Sequence, residues 1–211
     1  MTDAAPPLTP ADFQARTGVS DDTLERLETL VAVLLKWQAR INLIGRGTAT
    51  DVWRRHVLDS AQLAPLIPPT AQTVIDLGSG AGFPGLILAI LGVKGLHLVE
   101  SDGRKCAFLR EAARITGAVV EIHPGRAEAM APLEADAVTA RALAPLPDLL
   151  NLASRFLGPH TVCVFPKGRN AEQELTESQK TWMMTVVRIA SQTDPEGTIL
   201  KLEDISRRHV R

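Results

Sequence analysis

Asp76 and Glu100 are the acids whose positions most restrict the chemistry of this chain. Asp76 closes the apolar run "TVID" and is followed by Gly78, Gly80, Gly82 and Gly85, while Glu100 closes the next such run, "LHLVE". Glycines after a strand let the backbone approach a ligand and aim the N–H groups of the following helix at it. Gly80, Gly82 and Gly85 spell a literal G-x-G-x-x-G, which fits a dinucleotide, and Glu100 stands where a carboxylate meets ribose hydroxyls. S-adenosylmethionine has such a ribose too, so Asp76 has to decide. A pyrophosphate brought to this turn is repelled by the acid. A zwitterionic amino-acid end offers Asp76 its ammonium, directly or through water, and offers the loop N–H groups its carboxylate. The expected ligand is therefore S-adenosylmethionine. A tight turn with no ligand is the plainer reading, but the conformational entropy of four glycines then has no evident return.

Two later stretches extend the site. "HPGRAEAM" follows the third strand-like run and offers Ala127 and Glu128 to the adenine, although Glu128 alone also reads as an ordinary first-turn helix acid. "DAVTARALAPL" delivers Arg141 to the end of the fourth run, where ligands of open α/β sheets sit; a surface salt bridge is the alternative. No Asp/Asn-Pro-Pro-aromatic motif follows that run, so an exocyclic amine is a poor acceptor. No cysteine occupies such a loop, which argues against a covalent thiol adduct on a pyrimidine. The remaining acceptors include an aromatic ring nitrogen. Its own lone pair attacks, so it needs positioning and no general base.

The elements that must position these residues change character near residue 70. Before it the pattern is helical. Thr9 and Pro10 mark one helix start with Gly18 as its stop, Ser20 caps a second, and a third is predicted from Asp51 to about Leu66, ended by "IPPT". After it, "TVIDL", "LHLVE", "VVEIH", "DAVTA" and "TVCVF" alternate with helix-length segments, and Phe83-Pro84 is expected to open the first of these helices. "TWMMTVVRIA" and "TILKLEDI" are joined by a turn in "SQTDPEG". The expected fold is α/β, with a mostly parallel, Rossmann-like sheet of seven strands, as in class I methyltransferases. It ends in an antiparallel hairpin and carries a helical extension over residues 1–70 ahead of the domain at 71–211.

Bulk composition fits one large domain. The 211 residues are 45% hydrophobic, and the net charge of −1 gives no global attraction to a polyanion, so any nucleic-acid surface has to be local. Two distant cysteines imply neither a disulfide framework nor a zinc site. The first residues lack the basic and apolar regions of an export signal, and no apolar run is long enough for a membrane span. A cytoplasmic protein is expected.

The chain closely resembles the bacterial small-subunit ribosomal RNA guanine-N7 methyltransferases, also called the glucose-inhibited division protein B family. The resemblance rests on "INLIG", "RRHVLDS", "VIDLGSGAGFPGLILAI", "LVESDGRKCAFL", "GRAE", "TARALAPL" and "FPKG", in order from about Trp37 to Gly168. Departures are small: Ile44 stands where Thr is commoner, and Arg104-Lys105 where paired lysines are common. The resemblance implies methyl transfer from S-adenosylmethionine to N7 of one guanine in 16S ribosomal RNA. It also implies that Gly78, Phe83, Ala127, Glu128 and Arg141 hold the donor, alongside the Asp76, Gly80 and Glu100 read from the loop. A class I methyltransferase for a small-molecule acceptor is the alternative.

Lys36, Arg40, Arg46, Arg54, Arg55 and His56 face a single acid, Asp51, in the segment between Lys36 and His56. Such a local excess can neutralise phosphates, although a solvated helix face is the simpler account of any one member. Arg54, Arg55, His56, Lys105 and Lys167 are the expected RNA contacts, with His56 more structural than catalytic. Asp59 is expected to pair with Arg55 one turn away. The partner is 16S RNA or the small ribosomal subunit, with no membrane and no metal, and the protein is expected to act as a monomer.

Overall fold

The computed structural model describes residues 6–208; the expectations on the first five residues and on the basic end of the chain beyond Arg208 lie outside them. In chain order the main elements are α1 (Pro10–Thr17), α2 (Asp21–Gln38), α3 (Asp59–Ala61), β1 (Val74–Leu77), α4 (Gly85–Ile90), β2 (Leu96–Glu100), α5 (Gly103–Thr116) and β3 (Val120–Pro124). They continue with β4 (Ala135–Ala140), α6 (Leu146–Ala153), β5 (Leu157–Lys167), α7 (Ala171–Ser178), β6 (Trp182–Ala190) and β7 (Thr198–Arg207).

Local signals place the first helices. Thr9 and Asp12 form a reciprocal capping box with Pro10 at the first helical position, and Gly18 closes α1 in the left-handed region at φ 69°. Ser20 caps α2 by accepting from the amide of Thr23. The expected third α-helix is replaced by a compound stretch. A 3-10 turn over Arg46–Asp51 leads into a π-helical turn over Trp53–Leu58, and only Asp59–Ala61 is α-helical before a second 3-10 turn at Ala64–Leu66. The wider π turn lets the amide of Asp59 reach back five residues to the carbonyl of Arg54.

The sheet runs β3-β2-β1-β4-β5-β7-β6. Its first five strands are parallel, and β7 is antiparallel to both β5 and β6, so the expected C-terminal hairpin is present. Alternation along β1 sends Val74 to one face and Ile75 and Leu77 to the other, and each face has its own buried cluster. Leu27, Leu30 and Leu34 of α2 share the first cluster with Leu96, Leu98 and Phe108. Burying each such leucine is worth about 1.5–3 kcal/mol, so the N-terminal helices are part of the core that positions the sheet. Among the described residues, no helix is long and apolar enough to cross a membrane.

Candidate functional site

The C-terminal ends of β1 to β4 surround a cleft of about 350 Å³. Gly78, Glu100, Lys105, Ala127, Glu128 and Arg141 all line it. Residues spread over more than sixty positions of sequence thus meet where strand order reverses between β1 and β4, as expected for an open α/β sheet. Asp76, Gly80 and Phe83 stand behind this wall instead of on it.

Asp76 is fully buried, on the sheet face beneath α4. Thr139, its register neighbour on β4, donates to Oδ1 at 3.0 Å, and the amide of Gly85 donates to Oδ2 at 3.2 Å. The carboxylate therefore faces the start of α4, where the helix dipole favours negative charge. A Cβ at Gly85 would lie 2.8 Å from Asp76 Oδ2 and 2.2 Å from Leu98, so only glycine lets the helix start sit on the acid. Burial pushes the Asp76 carboxyl up to about 6, against the lowering effect of its hydrogen bonds. Asp76 was expected at a donor ammonium, directly or through water; here both its oxygens accept hydrogen bonds within the protein. Pro84, expected in the first turn of α4, caps its start from just outside.

Glu100 holds the other side of the loop. Its Oε2 accepts from the amide of Gly80 at 2.8 Å and its Oε1 from the amide of Asp102 at 2.7 Å. The amides of Ser79, Gly82 and Phe83 also donate within the protein, to the carbonyls of Val99, Ser79 and Ser79. Contrary to expectation, these N–H groups are therefore not left for a ligand carboxylate. They are equally unavailable to a pyrophosphate, which would meet the Glu100 carboxylate in their place.

Arg141 leaves the end of β4 and is followed by Ala142 at φ 52°, in the left-handed region that a side chain rarely adopts. Its guanidinium donates from Nη1 to the carbonyl of Arg55 at 3.0 Å and to Asp59 Oδ2 at 3.2 Å, and from Nη2 to His56 Nδ1 at 2.7 Å. The cation lies 5.2 Å from the centroid of Phe83, which stacks on His56 at 5.0 Å. Because Arg141 can only donate, His56 Nδ1 must accept, and the proton resides on Nε2. That nitrogen donates to Thr48 Oγ1 at 2.8 Å, and Thr48 passes a hydrogen bond to the carbonyl of Gly45 at 2.8 Å. Burial first, then the charges of Arg141 and Arg55, hold His56 down to about 3, so it is neutral near pH 7. One chain of contacts thus joins "INLIG", "RRHVLDS", the glycine loop and "TARALAPL". Asp59 pairs with Arg141, and the expected partner Arg55 is left exposed at the cleft rim.

A second cleft, of about 410 Å³, opens on the other side of Arg141. Arg141 and Ala142 line both clefts. The wall opposite the sheet is the compound helical stretch, and the β6–β7 turn is stitched to it: Thr193 Oγ1 donates to Asp59 Oδ1 at 2.6 Å, and the amide of Gln192 to Gln62 Oε1 at 2.8 Å. Arg55 and Lys167 also line this cleft. Lys167 was expected to meet an RNA phosphate, but its ammonium is buried between Glu174 Oε2 at 2.7 Å and the carbonyl of Ala144 at 2.9 Å. Arg54 is likewise engaged, with Asp51 at 2.8 Å and the carbonyl of Pro6. Lys105 lines the first cleft and also a basic groove of about 440 Å³ shared with Arg40 and Arg104.

Thr48, Thr139 and Asp59 thus position the site, yet a hydroxyl or an isolated acid carries no signal until strand register and helix geometry supply its partner. Thr139 is the exception in hindsight, since it lies beside Asp76 in any register that aligns the ends of β1 and β4.

The family described as "GidB: rRNA small subunit methyltransferase G" matches residues 23–197. Ribosomal RNA small subunit methyltransferase G of Rhodospirillum centenum is 55% identical, over 98% of this chain and 96% of its own length. The protein of the same description from Paramagnetospirillum magneticum is 55% identical, over 94% of this chain and 97% of its own. In fold, the chain is similar to an O-methyltransferase from Bacillus cereus solved in complex with SAH, with a TM-score of 0.58 at 13% identity over 92% of this chain and 100% of that one. A glycine loop held by two acids, an arginine shared between two clefts and near-full-length identity above half converge: the chain belongs to the rRNA small subunit methyltransferase G family.

Proposed function

We propose that this protein transfers the methyl group of S-adenosylmethionine to N7 of one guanine in 16S ribosomal RNA. The observation that carries the reading is the position of Arg141, which borders both the cleft at the strand ends and the cleft beneath the compound helical stretch. A donor in the first and an acceptor base in the second would meet across it. The first cleft suits the donor. Each oxygen of Glu100 has accepted one amide hydrogen and keeps lone-pair capacity for the two ribose hydroxyls. Gly78 is at φ 65°, and a Cβ there would lie 2.6 Å from Leu143, another residue of the cleft wall. When bound, the cofactor supplies an electrophilic methyl group on a cationic sulfur.

The remaining work belongs to this chain. Glu100 orients the ribose, and Ala127 and Glu128 border the adenine. Asp76, Gly80 and Phe83 hold the loop and the Arg141 cation in place from behind. Arg141 is a positioning residue: three partners fix its guanidinium, which orders the methionine carboxylate, the guanine O6 or a neighbouring phosphate. It does not face N7, where positive charge develops as the bond forms. N7 attacks through its own lone pair, so no residue removes a proton and the barrier is lowered chiefly by near-attack placement. Arg55 and Lys105 contact RNA phosphates, while Arg54, His56 and Lys167 build the walls that present them. The helical extension ahead of residue 71 thus supplies one wall of the acceptor cleft, while the domain at 71–211 supplies the donor cleft and the rest of the acceptor cleft. The protein acts as a monomer in the cytoplasm, and the transfer uses no metal.

The test is a methyl-transfer assay offering naked 16S RNA, small ribosomal subunits and a metabolite panel, with the modified base mapped. The expected product is a single N7-methylguanine in 16S RNA. Labelling of metabolites alone would replace this reading with the small-molecule alternative, for which the size of the second cleft is the favouring observation.

A further inference from the structure

His97 and His123 stack on neighbouring strands, away from both clefts described above. In the β2–β3 register His97 pairs with Glu121 and Val99 pairs with His123. The alternation of a parallel pair therefore puts His97, Glu121 and His123 on one face of the sheet. His97 Nδ1 and His123 Nε2 are 3.0 Å apart. The Glu121 carboxylate places Oε2 at 3.5 Å from the first nitrogen and Oε1 at 3.5 Å from the second. The group borders a concave space of about 430 Å³ whose other walls include Val99, Met130 and Leu133.

We propose that His97, Glu121 and His123 bind one divalent cation of the zinc class, with a fourth position open to water or a small anion in this space. Ligand atoms in a tetrahedral shell with bonds of about 2.0–2.1 Å stand about 3.3 Å from one another. The two nitrogens stand 3.0 Å apart and each Glu121 oxygen stands 3.5 Å from a different one of them, so the ion enters between the nitrogens once a rotation of the Glu121 side chain brings one oxygen to it. All three candidate ligand atoms lie within 4.8 Å of one another. Two imidazoles and one carboxylate select zinc and its first-row neighbours over magnesium or calcium, which prefer oxygen. The ion takes the place of the proton that the two imidazoles otherwise share. It ties the edge strand β3 to β2; β2 ends at Glu100, and the chain leaving β3 at Pro124 leads to Ala127 and Glu128 at the first cleft. Cysteine spacing gives no hint of this site, because strand register assembles it.

The full-length protein, stripped with a chelator and dialysed, is titrated with zinc chloride by calorimetry and with cobalt(II) by visible absorption, with thermal unfolding followed in parallel. The expected result is one equivalent bound, tetrahedral-type cobalt bands, and an unfolding temperature that rises with zinc concentration. His123→Ala abolishes all three. Glu121 is the most exposed member, so Glu121→Gln leaves the metal-free fold intact and lowers zinc affinity at least about tenfold. Absence of stoichiometric binding, or zinc affinity unchanged in Glu121→Gln and His123→Ala, overturns the proposal and leaves a hydrogen-bonded histidine pair. Because no step of the test uses methyl transfer, its outcome is independent of the proposed activity.

Discussion

Arg141 Nη2 and His56 Nδ1 stand 2.7 Å apart, and this contact, together with burial, holds the imidazole between the two clefts neutral. Burial removes the water that would solvate the imidazolium, and the arginine beside it adds repulsion. Neutral His56 then serves as an acceptor on one nitrogen and a donor on the other, linking Arg141 to Thr48. The guanidinium gains a fixed orientation without losing its charge.

His56 should therefore remain neutral across the ordinary pH range. Its folded pKa, held down to about 3, lies below the unfolded value near 6.5. The unfolded chain takes up this proton first, so the contribution of His56 to stability is full above about pH 6.5 and is lost as pH falls toward 3. Ring resonances of His56 followed by NMR should show Nε2–H and no titration between pH 8 and 5. A midpoint near 6.5 would contradict the buried, arginine-paired state of the ring.

Arg141→Lys should be nearly as damaging as Arg141→Ala. A lysine ammonium cannot reach the Arg55 carbonyl, Asp59 and His56 with the spread of a planar fork. Misplacement by about 1 Å costs on the order of a hundredfold in rate, and the lost buried hydrogen bonds cost about 1–3 kcal/mol of stability. Single-turnover methyl transfer and urea unfolding measure the two effects. A rate within about threefold of the natural protein would remove Arg141 from its positioning role.

Glu100→Gln tests the ribose clamp without emptying the site. One of the two accepting oxygens becomes an NH₂ that faces the amide of Gly80 or Asp102, so the loop loses a partner as the ribose loses an acceptor. S-adenosylmethionine should bind about 1–3 kcal/mol more weakly by calorimetry, or roughly five- to 150-fold. Equal affinity would mean that the ribose is held elsewhere.

What could be read ahead of the structure divides by distance along the chain. The caps at Thr9, Gly18 and Ser20, the strand-helix alternation and the hairpin are local patterns, and each is found where the residues placed it. Glu100, Ala127, Glu128 and Arg141 were reachable because strand C-terminal ends must converge in such a sheet. Contacts that depend on side-chain direction were not legible. Asp76 reads as a ligand acid until burial beneath α4 turns both its oxygens to Thr139 and Gly85. Lys167 reads as a free cation until α7 brings Glu174 against it. The π turn at Trp53–Leu58 carries no propensity signal, yet it lies in the stretch that presents both His56 and Asp59 to Arg141.

Asp76→Asn should shift the pH dependence of stability. With its folded pKa raised to about 6, Asp76 binds its proton more tightly in the folded state than in the unfolded one. Its contribution is therefore greatest below the unfolded value near 3.9 and declines as pH rises through about 6. Asparagine has no such dependence and leaves either the Gly85 amide or the Thr139 hydroxyl facing a donor. Urea unfolding from pH 4 to 7 should show the natural protein's advantage over Asp76→Asn shrinking as pH rises. A gap that widens would reverse the assigned shift.

The basic residues should separate into two classes under salt. Arg55 is exposed at the second cleft and Lys105 lines the basic groove, whereas Arg54 is tied to Asp51 and Pro6, and Lys167 to Glu174 and Ala144. A cation that meets a phosphate releases counterions, so removing it lowers the slope of log affinity against log salt by about one. Arg55→Ala and Lys105→Ala should each weaken 16S RNA binding, flatten that slope by about one and leave unfolding nearly unchanged. Arg54→Ala and Lys167→Ala should instead lower stability, Lys167→Ala the more because it strands Glu174 beside the Leu146 amide turn. RNA binding by these two variants, measured well below their unfolding temperatures, should keep the natural salt slope. Filter binding over a series of potassium chloride concentrations distinguishes the classes. A flattened slope in Lys167→Ala would return that lysine to the RNA interface, and an unchanged slope in Arg55→Ala would take the second cleft out of RNA recognition.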